Sequence, residues 1–144
     1  MPNIHPILVH FPIALLTTSL LFDLVGALMK RDDVTRTAWW CQIAGSLGVL
    51  GTVFSGLLAE MTIMIPAAAR ESFETHKEVA FLVATIFAVL LLWRISSRTR
   101  IPHTYRFIFW GLYILGVVLI WIGAWHGGEM VYRFGMGVHT LMPS

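Results

Sequence analysis

The fold class is decided at residues 108–125, which read IFWGLYILGVVLIWIGAW. The run contains no charged residue and no proline, and its apolar side chains follow one another without the alternation typical of a membrane β-strand. About 20 apolar residues in a helix are needed to cross a bilayer core of about 30 Å. A continuous run of this length therefore predicts a transmembrane α-helix.

Similar runs precede this one, and together they predict four spans at about residues 7–28, 38–64, 76–95 and 107–126. The whole chain agrees, since 57% of its residues are apolar, 12% are charged and the mean hydropathy is +0.75. A soluble fold of 144 residues cannot bury so much apolar surface. We expect an all-α, four-helix transmembrane bundle, which forms a single integral membrane domain over residues 1–144.

Basic residues set the expected direction of the spans. Seven basic residues lie around the first and third connections, namely Lys30, Arg31, Arg36, Arg94, Arg98, Arg100 and Arg106. The side of the membrane that holds the two ends and the second connection has three, namely Arg70, Lys77 and Arg133. Basic residues are enriched in cytoplasmic connections. The N-terminus, the second connection and the C-terminus are therefore expected outside.

Composition and motifs argue against several classes of function. The formal charge is only +2, and the basic residues lie at the ends of apolar runs, so nucleic acid is not expected as a partner. The chain has no Gly-rich phosphate loop and no zinc-protease motif, so a hydrolase is not expected.

The first span lacks a basic leader and a small-residue cleavage site, which predicts that it is retained. The single cysteine, Cys41, is expected to be an apolar filler.

The histidines gather on the expected outer side. This topology places His5, His10, His76, His126 and His139 there, and only His103 at the cytoplasm. His10, His76 and His126 come from three spans and reach about the same depth near the outer boundary. An ionisable residue at membrane depth is costly unless it faces the bundle interior and has a partner. These three histidines are therefore the candidate site residues.

The chemistry that such a cluster suits is axial ligation of haem iron, because two neutral imidazoles on facing helices can bind the two faces of the iron. The chain has no Cys-x-x-Cys-His attachment motif, so any haem would be of the b type. Arg70, Lys77 and Arg133 lie on the correct side to meet the haem propionates, although the same residues are ordinary interface anchors.

Two other interpretations of the outer histidines remain open. In the first, they are purely structural and hydrogen-bond across helices. In the second, they bind copper, since thioether and imidazole together suit that metal. The methionines that share the outer side are Met61, Met64, Met130, Met136 and Met142, although methionine is also a common gap-filler in apolar bundles.

Polar and small residues inside the spans predict how the helices pack. Asp23 is the one acid well inside a span, and Lys30, seven residues later, returns to nearly the same helical face. The long Lys30 side chain could approach Asp23, so a structural ion pair or a water contact near the inner boundary is favoured over a proton relay. Gly45, Gly48 and Gly51 predict that another helix approaches the second span closely.

The two ends of the chain carry motifs, since residues 5–15 read HPILVHFPIAL and residues 127–138 read GGEMVYRFGMGV. An HPxxVHFP start joined to a GGxxVYxxGxGV end resembles the prokaryotic membrane-protein family called domain of unknown function 2231 (DUF2231). The similarity extends through the four spans and His76. The resemblance implies a bacterial inner-membrane protein related to b-type cytochromes of respiratory electron transfer. It favours His10 and His76 as the axial pair, with His126 as a competitor for either place or a ligand of a second site.

The chain departs from the family pattern at Phe134, where members often carry histidine, whereas His126 stands at a position that is usually apolar. The resemblance thus implies that one ligand is lost or has moved to His126. Our hypothesis is a haem b protein that transfers electrons near the outer face, as a subunit or partner of a larger redox complex and not as a stand-alone enzyme. Quinone or a periplasmic cytochrome would be its electron partner. The alternatives are a non-enzymatic structural or assembly subunit and, third, a copper-binding membrane protein.

Overall fold

The computed structural model describes residues 4–97 and 104–136. Their helices are α1 (His5–Leu8), α2 (His10–Met29), α3 (Asp32–Glu60), α4 (Arg70–Ser96) and α5 (Arg106–Tyr132), with one 3-10 turn at Ala67–Ala69 before α4. Four segments are long and apolar enough to cross a membrane, with α1 and α2 counted as one segment. The predicted all-α bundle of four spans is therefore confirmed.

The helices differ from the predicted spans mainly at their ends. The second begins at Asp32 and ends at Glu60, the third begins at Arg70, and the fourth continues to Tyr132, past residue 126. The predicted bounds follow hydropathy, which marks only the part of a helix that is apolar enough to lie in lipid. The observed bounds follow backbone hydrogen bonds, which continue into the polar boundary of the membrane. Acids also stabilise a helix N-terminus, where the first turn of α3 carries Asp32 and Asp33. The second helix therefore begins before the predicted span.

The first span is interrupted at Val9, between α1 and α2. Three residues later Pro12 has no N–H to donate to the carbonyl of Leu8, and its ring crowds that carbonyl. The missing bond ends α1 at Leu8, but Val9 keeps helical angles, with φ −61° and ψ −26°, so α1 and α2 continue as one span. α1 packs against α3, and that contact positions His5.

The four long helices form a bundle in which neighbours in sequence pack on one another. α2 packs mainly on α3 and α4 on α5, while α3 also contacts α4 and α2 contacts α5. Short connections between α2 and α3 and between α3 and α4 make consecutive helices antiparallel. One end of the bundle, here called the histidine end, carries His5, His76 and His126. The opposite, arginine end carries Arg31, Arg94 and Arg106, and its cytoplasmic placement stays a prediction.

Small residues let the helices approach where a side chain would not fit. A Cβ on Gly45 would lie 2.6 Å from Cγ of Leu16 on α2, and one on Gly116 would lie 2.9 Å from the Phe87 ring on α4. These contacts confirm the predicted helix packing at Gly45. They do not extend to Gly51, where a Cβ would meet nothing within 4 Å.

A buried ion pair joins diagonal helices near the arginine end. Arg94 donates from Nη2 to Oδ1 of Asp23 at 2.8 Å and from Nη1 to Oδ2 of the same carboxylate. Nη1 also donates to Oε1 of Gln42 at 2.8 Å, and the guanidinium lies 5.4 Å from the Trp39 ring. Both ion-pair side chains are 0% exposed. Residues of α2, α3 and α4 are therefore held together by one guanidinium.

The predicted partner of Asp23 was wrong. Lys30 is exposed and ends α2 in the left-handed conformation, with φ 54°. That turn stops the helix after Met29, so the Lys30 side chain does not continue the face on which Asp23 lies. Arg94 supplies the counter-charge instead, although it was assigned to a cytoplasmic connection from the sequence. Arg98, Arg100 and His103 of that connection lie outside the described residues.

Replacing Gly45 tests the close approach of α2 and α3. We expect Gly45→Ala to lower the free energy of unfolding by about 1–3 kcal/mol, because the new methyl group overpacks against Leu16. Gly51→Ala is the matched control on the same helix, and it should be neutral or slightly stabilising. Thermal unfolding in detergent measures both variants, and equal destabilisation by the two would contradict the packing described.

Replacing the ion pair tests its role in the bundle. Asp23→Ala should cost about 3–5 kcal/mol, because it leaves the buried guanidinium of Arg94 without its carboxylate. The double variant Asp23→Leu with Arg94→Met should cost less than the single variant, since both charges are removed together. A double-mutant cycle of unfolding free energies measures the coupling. Simple addition of the two single effects would show that the pair contributes no coupling.

Candidate functional site

Two imidazoles meet at the histidine end of the bundle. The ring of His5 on α1 and the ring of His76 on α4 have centroids 6.4 Å apart and planes inclined by 89°. Both residues are half-buried. They come from diagonal helices, so the contact lies between the other helices of the bundle. This ring pair is the candidate functional site.

The His76 ring is oriented by a backbone carbonyl of the neighbouring helix. Its Nδ1 lies 2.9 Å from the carbonyl oxygen of Gly123 on α5. A carbonyl oxygen only accepts, so Nδ1 must carry the proton and donate it. In the neutral ring the lone pair is then on Nε2, the nitrogen by which such a histidine can bind a metal.

The His5 ring is held in a similar way by a hydroxyl group. Its Nδ1 lies 2.9 Å from Oγ of Ser55 on α3. The Ser55 hydroxyl donates to the carbonyl of Thr52 at 2.9 Å, so its oxygen is left to accept from His5. This arrangement is compatible with a proton on Nδ1 of His5, as on Nδ1 of His76. Each imidazole is thus oriented by a different partner helix.

Glycines make room for both rings. A Cβ on Gly56 would lie 3.1 Å from Cε1 of His5, and one on Gly127 would lie 3.4 Å from Cε1 of His76. Both glycines belong to the helix that also binds the respective ring, α3 for His5 and α5 for His76. The backbone beside each imidazole thus presents no side chain that would displace it.

The structure does not bring the predicted pair of His10 and His76 together. His10 is exposed, and its Nδ1 donates to the carbonyl oxygen of Pro6 at 2.7 Å within the first turns of the chain. Five residues of helix separate His5 from His10, which turns their side chains about 140° apart, so only one of them faces His76. The ring that faces His76 is that of His5, and the choice of axial pair stays a prediction. His139 lies outside the described residues.

His126 lies in a separate polar group on α5. Its Nδ1 is 3.7 Å from Oε2 of Glu129, which is too long for a hydrogen bond. Glu129 accepts from Ser72 of α4 at 3.2 Å and from Arg133 at 2.8 Å. The carboxylate thus joins α4 to α5 beside the ring pair. Arg133, a predicted propionate partner, is already engaged there and also lies 5.4 Å from the ring of Phe134.

Lys77 and Arg70, the other two predicted propionate partners, differ in whether they form ion pairs with carboxylates. Lys77 donates to Oε1 of Glu60 at 3.0 Å and lies 3.1 Å from Oε2 of Glu74. It therefore links α3 to α4 through carboxylates of this chain. Arg70 is exposed at the start of α4. Of the three predicted propionate partners, Arg70 alone has no ion pair with a carboxylate in the part of the chain that is described.

The methionines do not gather around the ring pair. Met61 and Met64 are 83% and 90% exposed in the connection between α3 and α4, whereas Met130 is buried. Met142 lies outside the described residues. Within residues 4–97 and 104–136, no group of three or more His, Cys, Asp or Glu side chains is arranged to hold a metal ion.

The sequence placed His5 on the outer side without making it a candidate site residue, and Ser55 had no expected role. One signal was present in the sequence. A serine inside an apolar span, here Ser55, marks a face that needs a hydrogen-bonding partner.

Comparison with known proteins agrees with this architecture. A family model described as predicted membrane protein (DUF2231) matches residues 1–140. Searches of curated proteins and of solved structures each returned no match. The family match covers nearly all of the 144 residues, including the four apolar helices and both terminal motifs. This chain therefore belongs to the DUF2231 family of predicted membrane proteins.

Proposed function

We propose that His5 and His76 are the axial ligands of a b-type haem, through which the protein transfers electrons. The observation that carries this proposal is the ring pair, in which two imidazoles from different helices stand 6.4 Å apart at an angle of 89°. Two metal–imidazole bonds of about 2 Å, together with the two ring radii, give a centroid separation of about 6 Å. The separation in this bundle is close to that value.

The hydrogen bonds around the pair also support a ligand role. Histidines that bind metals usually donate their other ring N–H to a carbonyl or similar acceptor, which fixes the ring and raises its basicity. Gly123 provides such an acceptor for His76, and Ser55 provides one for His5. Both bonds are compatible with the tautomer that axial ligation needs.

Haem iron, when bound, supplies a one-electron redox couple. The contribution of the chain is the two imidazoles, the hydrogen bonds that orient them and the apolar helices that limit access of water. His126, 29% exposed beside Glu129, has no place in the axial pair and stays a candidate only for a second site. Arg70 is the basic residue best placed to meet a propionate, because Lys77 and Arg133 already pair with carboxylates.

The membrane setting supports a role as part of a larger redox system. The connections between the helices are short, so the described chain has no separate domain for a water-soluble substrate. The ring pair lies at one end of four lipid-compatible helices, which supports a position near one membrane boundary. We propose that the protein acts in the bacterial inner membrane beside other membrane subunits, with quinone or a periplasmic cytochrome as its electron partner.

One observation favours a second candidate, a structural or assembly subunit without a cofactor. The same hydrogen bonds that orient the rings also tie α1 to α3 and α4 to α5. Interhelical hydrogen bonds of this kind stabilise membrane bundles by about 1 kcal/mol each, with no metal needed. Copper bound by the same imidazoles is the third candidate, since imidazole also suits that metal.

The proposal is tested by the absorption spectrum of protein purified in detergent after expression with ample haem. We expect a Soret band and a b-type pyridine haemochrome, both lost in His5→Ala and in His76→Ala because each variant removes one axial ligand. His10→Ala is the matched control, since His10 is exposed near the same end, and it should keep the spectrum.

Other outcomes of this experiment identify the other candidates. Colourless wild-type protein that still folds would reject haem and support the structural role. Stoichiometric copper in elemental analysis without porphyrin absorbance would support the copper role. A spectrum lost in His10→Ala but kept in His5→Ala would restore the pair first predicted from the sequence.

Ser55→Ala tests the hydrogen bond that orients His5. We expect haem affinity to fall about 10- to 100-fold, the usual effect of removing such a partner of a metal-binding histidine. Ser72→Ala is the control, because it removes a serine that bonds across helices at the same end, to Glu129 and not to an imidazole. Haem titration of the apoprotein measures both, and equal losses would argue against a specific role for Ser55.

A further inference from the structure

We propose that the bundle holds the imidazole planes of His5 and His76 perpendicular to each other as axial ligands, with Ser55 as a positioning residue for His5. This inference rests on the proposed haem function and adds to it the orientation of the two ligands. The observation behind it is the angle of 89° between the two ring planes. The separation of 6.4 Å alone would allow any angle between the planes of two axial ligands.

The plane of the His5 ring is restrained by α3 on two sides. Nδ1 of the ring lies 2.9 Å from Oγ of Ser55. A Cβ on Gly56 would lie 3.1 Å from Cε1 of the same ring, so the backbone of that turn lies close beside the imidazole. The torsion that rotates a histidine ring is otherwise broad. Rotation here would lengthen the hydrogen bond to Ser55 or press the ring against α3.

The plane of the His76 ring is restrained by α5 in a similar way. Nδ1 lies 2.9 Å from the carbonyl oxygen of Gly123, and a Cβ on Gly127 would lie 3.4 Å from Cε1. Because the N–H bond lies in the plane of the imidazole and prefers to point at its acceptor, the position of the acceptor restrains the ring plane. The acceptors for the two rings belong to different helices. The angle between the rings is therefore a property of how the bundle is packed.

Perpendicular imidazoles have a specific effect on low-spin ferric iron. Each imidazole donates π density mainly into the iron d orbital whose lobes lie along the normal to its ring. Two parallel rings raise the same d orbital, whereas two perpendicular rings raise one orbital each and leave the pair nearly equal in energy. Nearly equal orbitals give an electron paramagnetic resonance (EPR) spectrum dominated by one line at very low field, and separated orbitals give three resolved lines. Ligand orientation thus joins hydrogen bonding and burial among the means by which this chain would tune a haem.

The experiment is low-temperature EPR spectroscopy of the oxidised full chain, after its haem content has been measured by the pyridine haemochrome assay. Wild-type protein should give the single low-field line. Gly56→Ala should shift that line to higher field with haem retained, because the new methyl group would lie 3.1 Å from Cε1 of His5 and turn the ring. Ser55→Ala, measured with saturating haem, should shift the line in the same direction, because it removes the bond at Nδ1.

Gly51→Ala is the matched control, since a Cβ at this position of the same helix would meet nothing within 4 Å. It should leave the EPR spectrum unchanged. Three resolved lines from haem-loaded wild-type protein would overturn the perpendicular arrangement and leave the proposed haem function standing. A low-field line that stays in place in both Ser55→Ala and Gly56→Ala would overturn the positioning role of Ser55. Wild-type protein without porphyrin absorbance would overturn this inference and the haem function together.

Discussion

A membrane offers no water to the groups inside a bundle, so every buried charge must be satisfied by the protein itself. Here the pairing of Asp23 with Arg94 satisfies the two most deeply buried charges, and the rest of the bundle depends on it. Because the pair joins α2 to α4 across the bundle, it fixes how far each helix is rotated about its axis. An apolar side chain would fit many rotations, whereas a two-pronged guanidinium bond fits few.

The ion pair also determines which side chains of α4 face the bundle interior at the histidine end, because α4 is a regular helix. Arg94 and His76 are 18 residues apart, which is about five turns and about 27 Å of helix. Five full turns return a side chain to the same face, so the helix that points Arg94 into the bundle also points His76 into it. His5 and Asp23 are separated by the same 18 residues along the first span. The first span and α4 are diagonal and parallel, and in each the two inward-facing residues are 18 positions apart. The two helices therefore contact each other at two places, at His5 and His76 near one boundary of the membrane and at Asp23 and Arg94 near the other.

The sequence was enough to predict the four spans and the gathering of histidines at one end, because hydropathy and helix direction decide both. It was not enough to predict which side chains meet, because helix rotation is set by long-range packing. Asp23 was paired with Lys30 on the same helix, whereas the partner is Arg94, 71 residues away. His10 was preferred to His5 because span depth was considered without helix rotation, which turns the two side chains about 140° apart.

The hydrogen bonds of the ring pair agree with a structural role and with a metal-ligand role. A histidine that ties helices together and a histidine that binds a metal can both donate from Nδ1, since the second role needs the ring held as firmly as the first. What differs is the relation between the two rings. A structural role requires each imidazole to meet its own helix partner, as His76 meets Gly123 and His5 meets Ser55. It does not require the two imidazoles to lie beside each other at 6.4 Å, a separation that is compatible both with an edge contact between two rings and with two ligands on one metal ion.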